Sequence, residues 1–385
     1  MPKPKKPKAN PIQAAITAWI ASVPQLDRGH DQDGLINSAP KRFTIYEPMA
    51  LLPSGSFTIE PWLTTLQNLS EHSSTQLWSL ILKELSTQAK SDLTHLAVNQ
   101  GIPLHKTGME DENVLRSPSG LRILYGDFGL ADVATEAVSV SDFEKALWVS
   151  TKQNGIIQTW APRWTMFSRG NIKEKARLLD MEIPQSTVGS ELAEKPYAVD
   201  LYAGIGYFVF SYARLRMRVL CWEINPWSVE GLRRGARANR WSVRVVQGQD
   251  LQLPVEETLA GGEQIIVFLE SNEEALGRIQ SLQAQGMVQE IRHINCGFLP
   301  TSEPTWRHTW DMSAPSTEVW LHLHENVGVN DTETRRQEIQ DRFESWMDNK
   351  EKRAVKVEHV ELVKTFAPGV WHCVFDVHVT SSSCA

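Results

Sequence analysis

The chain has 385 residues, 41% of them hydrophobic and 22% charged, the composition of a soluble globular protein long enough for two domains. No window approaches the run of about 18 apolar residues that a membrane span needs. The four cysteines, Cys221, Cys296, Cys373 and Cys384, contain no CxxC pair, so neither a disulfide framework nor a metal site is expected and a reducing, cytoplasmic setting is. A net charge of −7 argues weakly against nucleic acid, yet RNA responds to the field of one face rather than to the whole molecule. The basic residues are grouped: "KPKKPK" near the start, Arg163, Arg169, Lys173, Lys175 and Arg177 close together, and "KEKR" at 350–353.

In chain order, a basic tail precedes a short amphipathic helix in "PIQAAITAWIAS". Residues 24–62, rich in Pro, Gly, Ser and Asp, read as loosely organised, and 1–74 as a whole as a poorly organised extension. Apolar residues at Leu77, Leu80, Ile81, Leu85, Leu93 and Leu96 predict one or two helices between 75 and 98. A strand follows at 121–126, then a hairpin over 146–160 turning at Asn154-Gly155, a type I′ signal. Asn171 is placed to cap a helix. The polar, proline-bounded stretch 182–196 reads as a boundary, dividing an N-terminal α+β domain (75–185) from a second domain (186–385).

After Tyr197 strands and helices alternate, which predicts a mostly parallel sheet. Strands are expected at 197–202, 218–223, 242–247, 290–297, 317–323, 355–363 and 370–379, the last two pairing antiparallel. Helices are expected near 206–215, 226–239, 303–312 and 331–348. Residues 263–282 would add a strand and a helix as an insertion.

The stretch "VDLYAGIGYF" runs a strand into a glycine turn at Gly204 and Gly206. The third glycine of a dinucleotide fingerprint is absent. S-adenosylmethionine has no pyrophosphate to cradle; it needs a bare backbone turn, and acidic groups suit its positive charge. Asp200 precedes the turn. Glu223 ends the next strand, where a carboxylate can take both ribose hydroxyls. Gln249 and Asp250 follow the third strand, where adenine can be read. All fall on one rim of the sheet, where doubly wound sheets bind ligands.

With these residues in hand, "DLYAGIGYF", "CWEINPWSVEGLRRGARAN", "TMFSRGNIKEK", "NCGFLPTSEPTW", "LHLHENV" and "VKTFAPGVWHCVFDV" resemble the tRNA wybutosine-synthesising protein 2 family, in its fungal branch. The similarity spans about residues 75–380. It implies a Rossmann-like, class I methyltransferase fold: an α/β, seven-stranded, mostly parallel sheet with one antiparallel strand, behind a smaller N-terminal domain. It also implies transfer of the 3-amino-3-carboxypropyl group of S-adenosylmethionine onto the tricyclic wyosine-type base at position 37 of phenylalanine tRNA, with no metal and no DNA partner. Family cofactor contacts map onto Ser168, Lys175, Glu223 and the pair after the third strand; the "GQD" here leaves Gly248, Gln249 and Asp250 open. Related tRNA guanine-N1 methyltransferases end their fourth strand in an Asn-Leu-Pro type motif. This chain has Gly297-Phe298-Leu299-Pro300, which favours aminocarboxypropyl transfer over the alternative, methylation. A non-catalytic tRNA-binding module is the second alternative, and the intact Gly204, Gly206 and Glu223 speak against it. Arg169, Asn171, Phe298 and Pro300 are the expected substrate contacts, with Arg169 suited to a phosphate and Phe298 to stacking on the base. His324 and His372 invite a reading as general bases, but a histidine on a buried strand is more often structural, and no catalytic base is assigned.

Overall fold

A computed structural model describes residues 10–23, 26, 31–99, 121–131, 138–181, 195–347 and 353–381. The chain divides into two compact units, one of residues 1–151 and 159–166, the other of 152–158 and 167–385.

The first unit contains α1 (Pro11–Ser22), α2 (Gln32–Ser38), β1 (Thr44–Tyr46), β2 (Met49–Leu52), α3 (Trp62–Asn68), α4 (Glu71–Ala89), β3 (His95–Val98), β4 (Arg122–Tyr125) and α5 (Val140–Lys145). Its four-stranded sheet runs in chain order, with β2 and β3 parallel and the outer pairs antiparallel. The described residues of 10–74 are not the poorly organised extension expected. Asn10 caps α1 through Ile12 N–H, and α1 buries Ile12, Ile16, Trp19 and Ile20. Trp19, Phe57, Trp62 and Trp78 pack ring against ring in the same core. The buried Trp19 and Trp62 indoles donate to the carbonyls of Ser73 (2.9 Å) and Leu35 (3.1 Å), which removes the cost of burying an N–H. Turn residues punctuate this stretch because its elements are short. The basic tail, 1–9, lies outside the described residues. Of the one or two helices expected over 75–98, α4 ends at Ala89, where Lys90 turns left-handed (φ 57°); Leu93 follows in the connection and Leu96 lies in β3.

A hairpin of β5 (Val149–Gln153) and β6 (Ile156–Trp160) turns at Asn154 and Gly155, whose φ values of 50° and 79° are those of a type I′ turn. Only residues 152–158 of this hairpin belong to the second unit, whose other elements are α6 (Ile172–Leu179), β7 (Tyr197–Asp200), α7 (Val209–Arg214), β8 (Arg218–Trp222), α8 (Pro226–Ala238), β9 (Val243–Val246), β10 (Ile265–Phe268), α9 (Ala275–Ala284), β11 (Ile291–Cys296), α10 (Trp306–Met312), β12 (Glu318–Gly328), α11 (Thr332–Glu344), β13 (Arg353–Ala367) and β14 (Val370–Ser381).

Its sheet has the order β13-β14-β12-β11-β7-β8-β10-β9, in which β14 alone runs against the others. The α/β architecture is the one read from the alternation of elements. The strand expected as an insertion, β10, enters the sheet between β8 and β9 and brings the strand count from seven to eight. Its four residues Ile265–Phe268 are fully buried, so it belongs to the interior rather than to a surface excursion. The expected boundary at 182–196 lies largely outside the described residues. Residues 167–181, expected with the N-terminal domain, fall in the second unit, because α6 is tied by buried polar contacts to β14. Among the described residues no helix is long and apolar enough to cross a membrane.

Candidate functional site

The parallel strands β7, β8 and β11 deliver three polar side chains to one rim. Register pairs Asp200 with Cys221 on one side and with Asn295 on the other, so Asp200 ends the central strand and Glu223 follows the end of its neighbour. The chain then folds through Gly204 (φ 53°) and Gly206 (φ 90°) into α7. A Cβ at Gly206 would stand 2.6 Å from the Phe210 ring, so both backbone and packing require glycine there. Glu223 fixes this turn from the side: Gly204 N–H and Asn225 N–H each donate to its carboxylate at 2.8 Å. Burial raises the Glu223 carboxyl, and these backbone donors work against that rise.

Asp200 is fully buried. Its Oδ1 accepts from Tyr202 N–H and Asn295 Nδ2, both at 3.1 Å, while its Oδ2 and the Asn295 Oδ1 find no partner among the described residues. Burial pushes the Asp200 carboxyl up to about 7, Asn295 and the Tyr202 backbone oppose that, and the nearby Glu223 adds to it. Two acceptor oxygens buried without donors, beside a bare glycine turn, fit a cationic ligand with hydroxyls.

Ser168 and Lys175 do not meet each other. Ser168 lies in the loop ahead of a short 3₁₀ turn at Arg169–Asn171, and its N–H donates to the Tyr207 hydroxyl at 2.9 Å, tying it to the glycine turn. Lys364, from the edge strand β13, donates to Ser168 Oγ (3.0 Å) and Asn171 Oδ1 (3.1 Å). Asn171 therefore holds this lysine and accepts from Ser168 Oγ (3.3 Å) instead of capping α6 through its side chain. Lys175 is 5% exposed, and its Nζ donates to Gln153 Oε1 (2.6 Å) and Gln158 Oε1 (2.7 Å) beside the Phe167 and Tyr207 rings. Burial, then the charge of Lys364, brings its pKa down to about 7. Arg169 and Lys173 are exposed. Arg177 is not a free basic side chain: it is clamped between Glu174 and Asp376.

Phe298 stacks on Tyr202, with ring centroids 5.0 Å apart and planes 20° apart, and the exposed Pro300 follows it. The loop is braced by the buried Glu325, which accepts from Thr301 Oγ1 and Ser302 N–H at 2.8 Å each. His324 and His372 bond to each other at 2.9 Å, each 1% exposed. Burial and the facing ring hold His324 well below its usual value, and burial with Lys364 brings His372 to about 4, so both rings are neutral at pH 7. Their other ring nitrogens, His324 Nε2 and His372 Nδ1, find no partner among the described residues. Gln249 and Asp250 are exposed, and β10 separates their strand from β8.

Sequence reading missed Asn295, Lys364 and Gln158. Asn295 had a signal, as a polar residue at a strand end inside "NCGFLP". Lys364 lies inside the quoted "VKTFAPG" stretch, but nothing there marks it as the partner of Ser168, which it meets across 196 residues. Ile224, next to Glu223 and 42% exposed, is an apolar side chain on this rim that the pattern of acids did not flag. Among the described residues no group of His, Cys, Asp and Glu is arranged to hold a metal ion.

No family model matches the chain. The tRNA wybutosine-synthesizing protein 2 of Schizosaccharomyces pombe is 40% identical over 341 residues, covering 88% of this chain and 72% of that protein. The protein of the same name from Saccharomyces cerevisiae is 34% identical over 385 residues, covering 91% and 76%. Among solved structures, P. horikoshii TYW2 in complex with MeSAdo is similar with a TM-score of 0.57, 15% identity, and coverage of 96% of this chain and 100% of that one. Trm5b from Pyrococcus abyssi is similar with a TM-score of 0.51 at 15% identity, covering 93% and 78%. Both carry the same fold.

Proposed function

The chain belongs to the tRNA wybutosine-synthesizing protein 2 family, and from that premise we propose that its second unit is the catalytic one, moving the 3-amino-3-carboxypropyl group of S-adenosylmethionine onto the tricyclic precursor base of phenylalanine tRNA in the cytoplasm. The observation that supports this reading best is the rim itself: an unpartnered buried carboxylate oxygen on Asp200, a glycine turn, and Glu223 bonded to that turn, all within two adjacent strands. When bound, the donor supplies a sulfonium whose methionine γ-carbon is open to in-line attack. Glu223 would hold the ribose hydroxyls, and Asp200 would lie against the positive charge. Ser168, with Lys364 beside it, would receive the methionine arm's carboxylate, and Lys175 would support the turn from behind through Gln158, whose Nε2 donates to Gly206 O. Phe298 on Tyr202 offers a flat surface for the base. The attacking ring carbon forms a carbon–carbon bond as the γ-carbon leaves sulfur, and that ring carbon sheds its proton to solvent. Catalysis is then mainly positioning.

The decisive experiment uses tRNA carrying the tricyclic precursor and cofactor labelled separately in the methyl and carboxyl carbons. Carboxyl label is expected in the tRNA and methyl label in 5′-methylthioadenosine. Methyl label in the tRNA would replace this reading with a methyltransferase.

Asp200 makes the cofactor affinity pH-dependent. Its carboxyl titrates near 7 without ligand, and the deprotonated form attracts a sulfonium. The affinity for S-adenosylmethionine relative to S-adenosylhomocysteine, a neutral thioether, should therefore rise roughly tenfold between about pH 6 and 8. Calorimetry at both pH values checks this. Asp200→Asn should flatten the ratio, and a flat ratio in the unaltered protein would place the sulfonium away from Asp200.

A further inference from the structure

We propose that four exposed arginines at the ends of α7 and α8 away from the rim, Arg214, Arg216, Arg237 and Arg240, form a second contact for RNA. They hold phosphates in the helical part of the tRNA while its substrate base occupies the rim. This rests on the tRNA-modifying function above and assigns that substrate's backbone to residues outside the site.

The sequence concentrates positive charge here. Between 214 and 244 stand eight arginines, no lysine and two acids, in a chain whose net charge is −7. The structure sorts the eight. Arg218 is buried and donates to the Tyr197 hydroxyl (2.6 Å), Arg244 donates to Glu257 O (2.7 Å), and Arg233 and Arg234 both pair with Glu230. Arg214, Arg216, Arg237 and Arg240 are exposed and have no ion-pair or hydrogen-bond partner among the described residues. The two acids do not neutralise them: Glu230 is taken by its own pair of arginines, and Glu223 is bonded to the glycine turn.

Folding brings the four together. Gly235 lets α8 approach α7, since a Cβ there would stand 2.8 Å from the Phe210 ring. Trp241, directly after Arg240, packs on the same ring with centroids 5.4 Å apart. Gln264 ties the two helix ends. Its Nε2 donates to the carbonyls of Ala213 (2.7 Å) and Met217 (3.2 Å), which flank Arg214 and Arg216, and its N–H donates to Ser242 Oγ (2.9 Å), two residues past Arg240. The arginines therefore share one end of the sheet, opposite the site. Arg216 precedes β8 and Glu223 follows it, so at about 3.3 Å per strand residue the two stand roughly 20 Å apart.

The chemistry selects the partner. A guanidinium keeps its charge at every physiological pH, and its planar fork of donors matches the oxygens of a phosphodiester. Four such forks on one face of an otherwise acidic chain suit a polyanion with regularly spaced phosphates. The basic face expected around Arg163–Arg177 is smaller than its sequence suggests, because Lys175 is buried and Arg177 is clamped. The far end of the sheet supplies the cations that this loop lacks. Phosphate contacts position a nucleic acid without reading its sequence, the task that suits a surface remote from the modified base.

The test is filter binding of full-length tRNA carrying the tricyclic precursor, across a salt series, with the full chain. If each arginine neutralises one phosphate, Arg214→Gln/Arg216→Gln should flatten the log–log slope by about 1.4–1.8, and the fourfold glutamine variant by about 2.8–3.6. In the fourfold variant KM for tRNA should rise roughly tenfold or more, with kcat at saturating tRNA and the affinity for S-adenosylmethionine unchanged. Arg307→Gln/Arg342→Gln, at exposed positions on α10 and α11, removes the same charge as the double variant and should leave the slope as it was. Thermal unfolding checks that each variant is folded. An unaltered slope in the fourfold variant overturns the proposal. So does equal flattening in the control, since the effect would then be one of net charge. Unaltered protein that binds tRNA but transfers no label overturns the function reading instead, and the slopes still decide this proposal.

Discussion

Replacing Glu223 with alanine is expected to weaken S-adenosylmethionine binding roughly tenfold to a hundredfold while the protein stays folded. Each hydrogen bond to a charged group contributes about 1.5–3 kcal/mol, and here one carboxylate has two tasks. It would take the ribose hydroxyls, and it already accepts from Gly204 N–H and Asn225 N–H. Alanine removes the ligand contact and leaves the turn's two donors without that acceptor. The glycine turn then relaxes, and the cofactor must order it on binding. Glu223→Gln can keep one backbone donor but turns an amide N–H toward the other, so it should fall between the two. Titration calorimetry reads the affinities, and thermal unfolding checks the fold. Unchanged affinity in Glu223→Ala would remove this residue from the site.

The second large effect is on stability. Arg177 donates to Asp376 (2.5 and 3.0 Å) and to Glu174 (2.7 and 2.9 Å), and Asp376 is bonded to His322 (2.7 Å), which is bonded to His293 (3.0 Å). Glu174, Asp376, His322 and His293 are all buried. Arg177→Met leaves two carboxylates buried without their cation, and such a break costs about 3–5 kcal/mol. For a unit of this size the melting temperature should fall on the order of 10 °C. If Arg177 belonged to a phosphate-binding face, the melting temperature would stay put and the salt dependence of tRNA binding would flatten by about 0.7–0.9 in its log–log slope. The pH dependence has a definite sign. Burial works to raise Asp376, but His322 and Arg177 overcome it and hold the carboxyl down at about 2, against an ordinary 3.8. An acid depressed in the folded state stabilises above its unfolded pKa. That contribution is present above about pH 4 and is lost as the pH falls toward 2. Acid unfolding monitored on the unaltered protein and on Arg177→Met checks it: the variant should lose much of this pH dependence.

Arg177 also shows where sequence reading stops. In the sequence it is one of several basic residues near a helix. Its partner Asp376 stands 199 residues away, and nothing local separates a clamped arginine from a solvated one. Lys364 against Ser168 is the same case. The expectation that Asn171 caps α6 failed for a related reason: its side chain is drawn to Lys364 instead.

What the sequence determined by itself was local or periodic. The hairpin at Asn154-Gly155 was legible because two successive positive φ values demand those residue types. The glycine turn, with an acid before it and another at the end of the next strand, was legible because parallel strands of similar length end on one rim. Strand and helix alternation gave the architecture, since the burial of each element writes its period into the chain. The tertiary structure alone decided where β10 inserts, which lysine meets Ser168, and that the described part of the punctuated stretch 10–74 closes around Trp19, Trp62 and Trp78. Each of these depends on which buried surface finds which partner. That choice is made by packing and by the cost of leaving polar groups unpaired, and it leaves no mark within a few residues of the atoms it brings together.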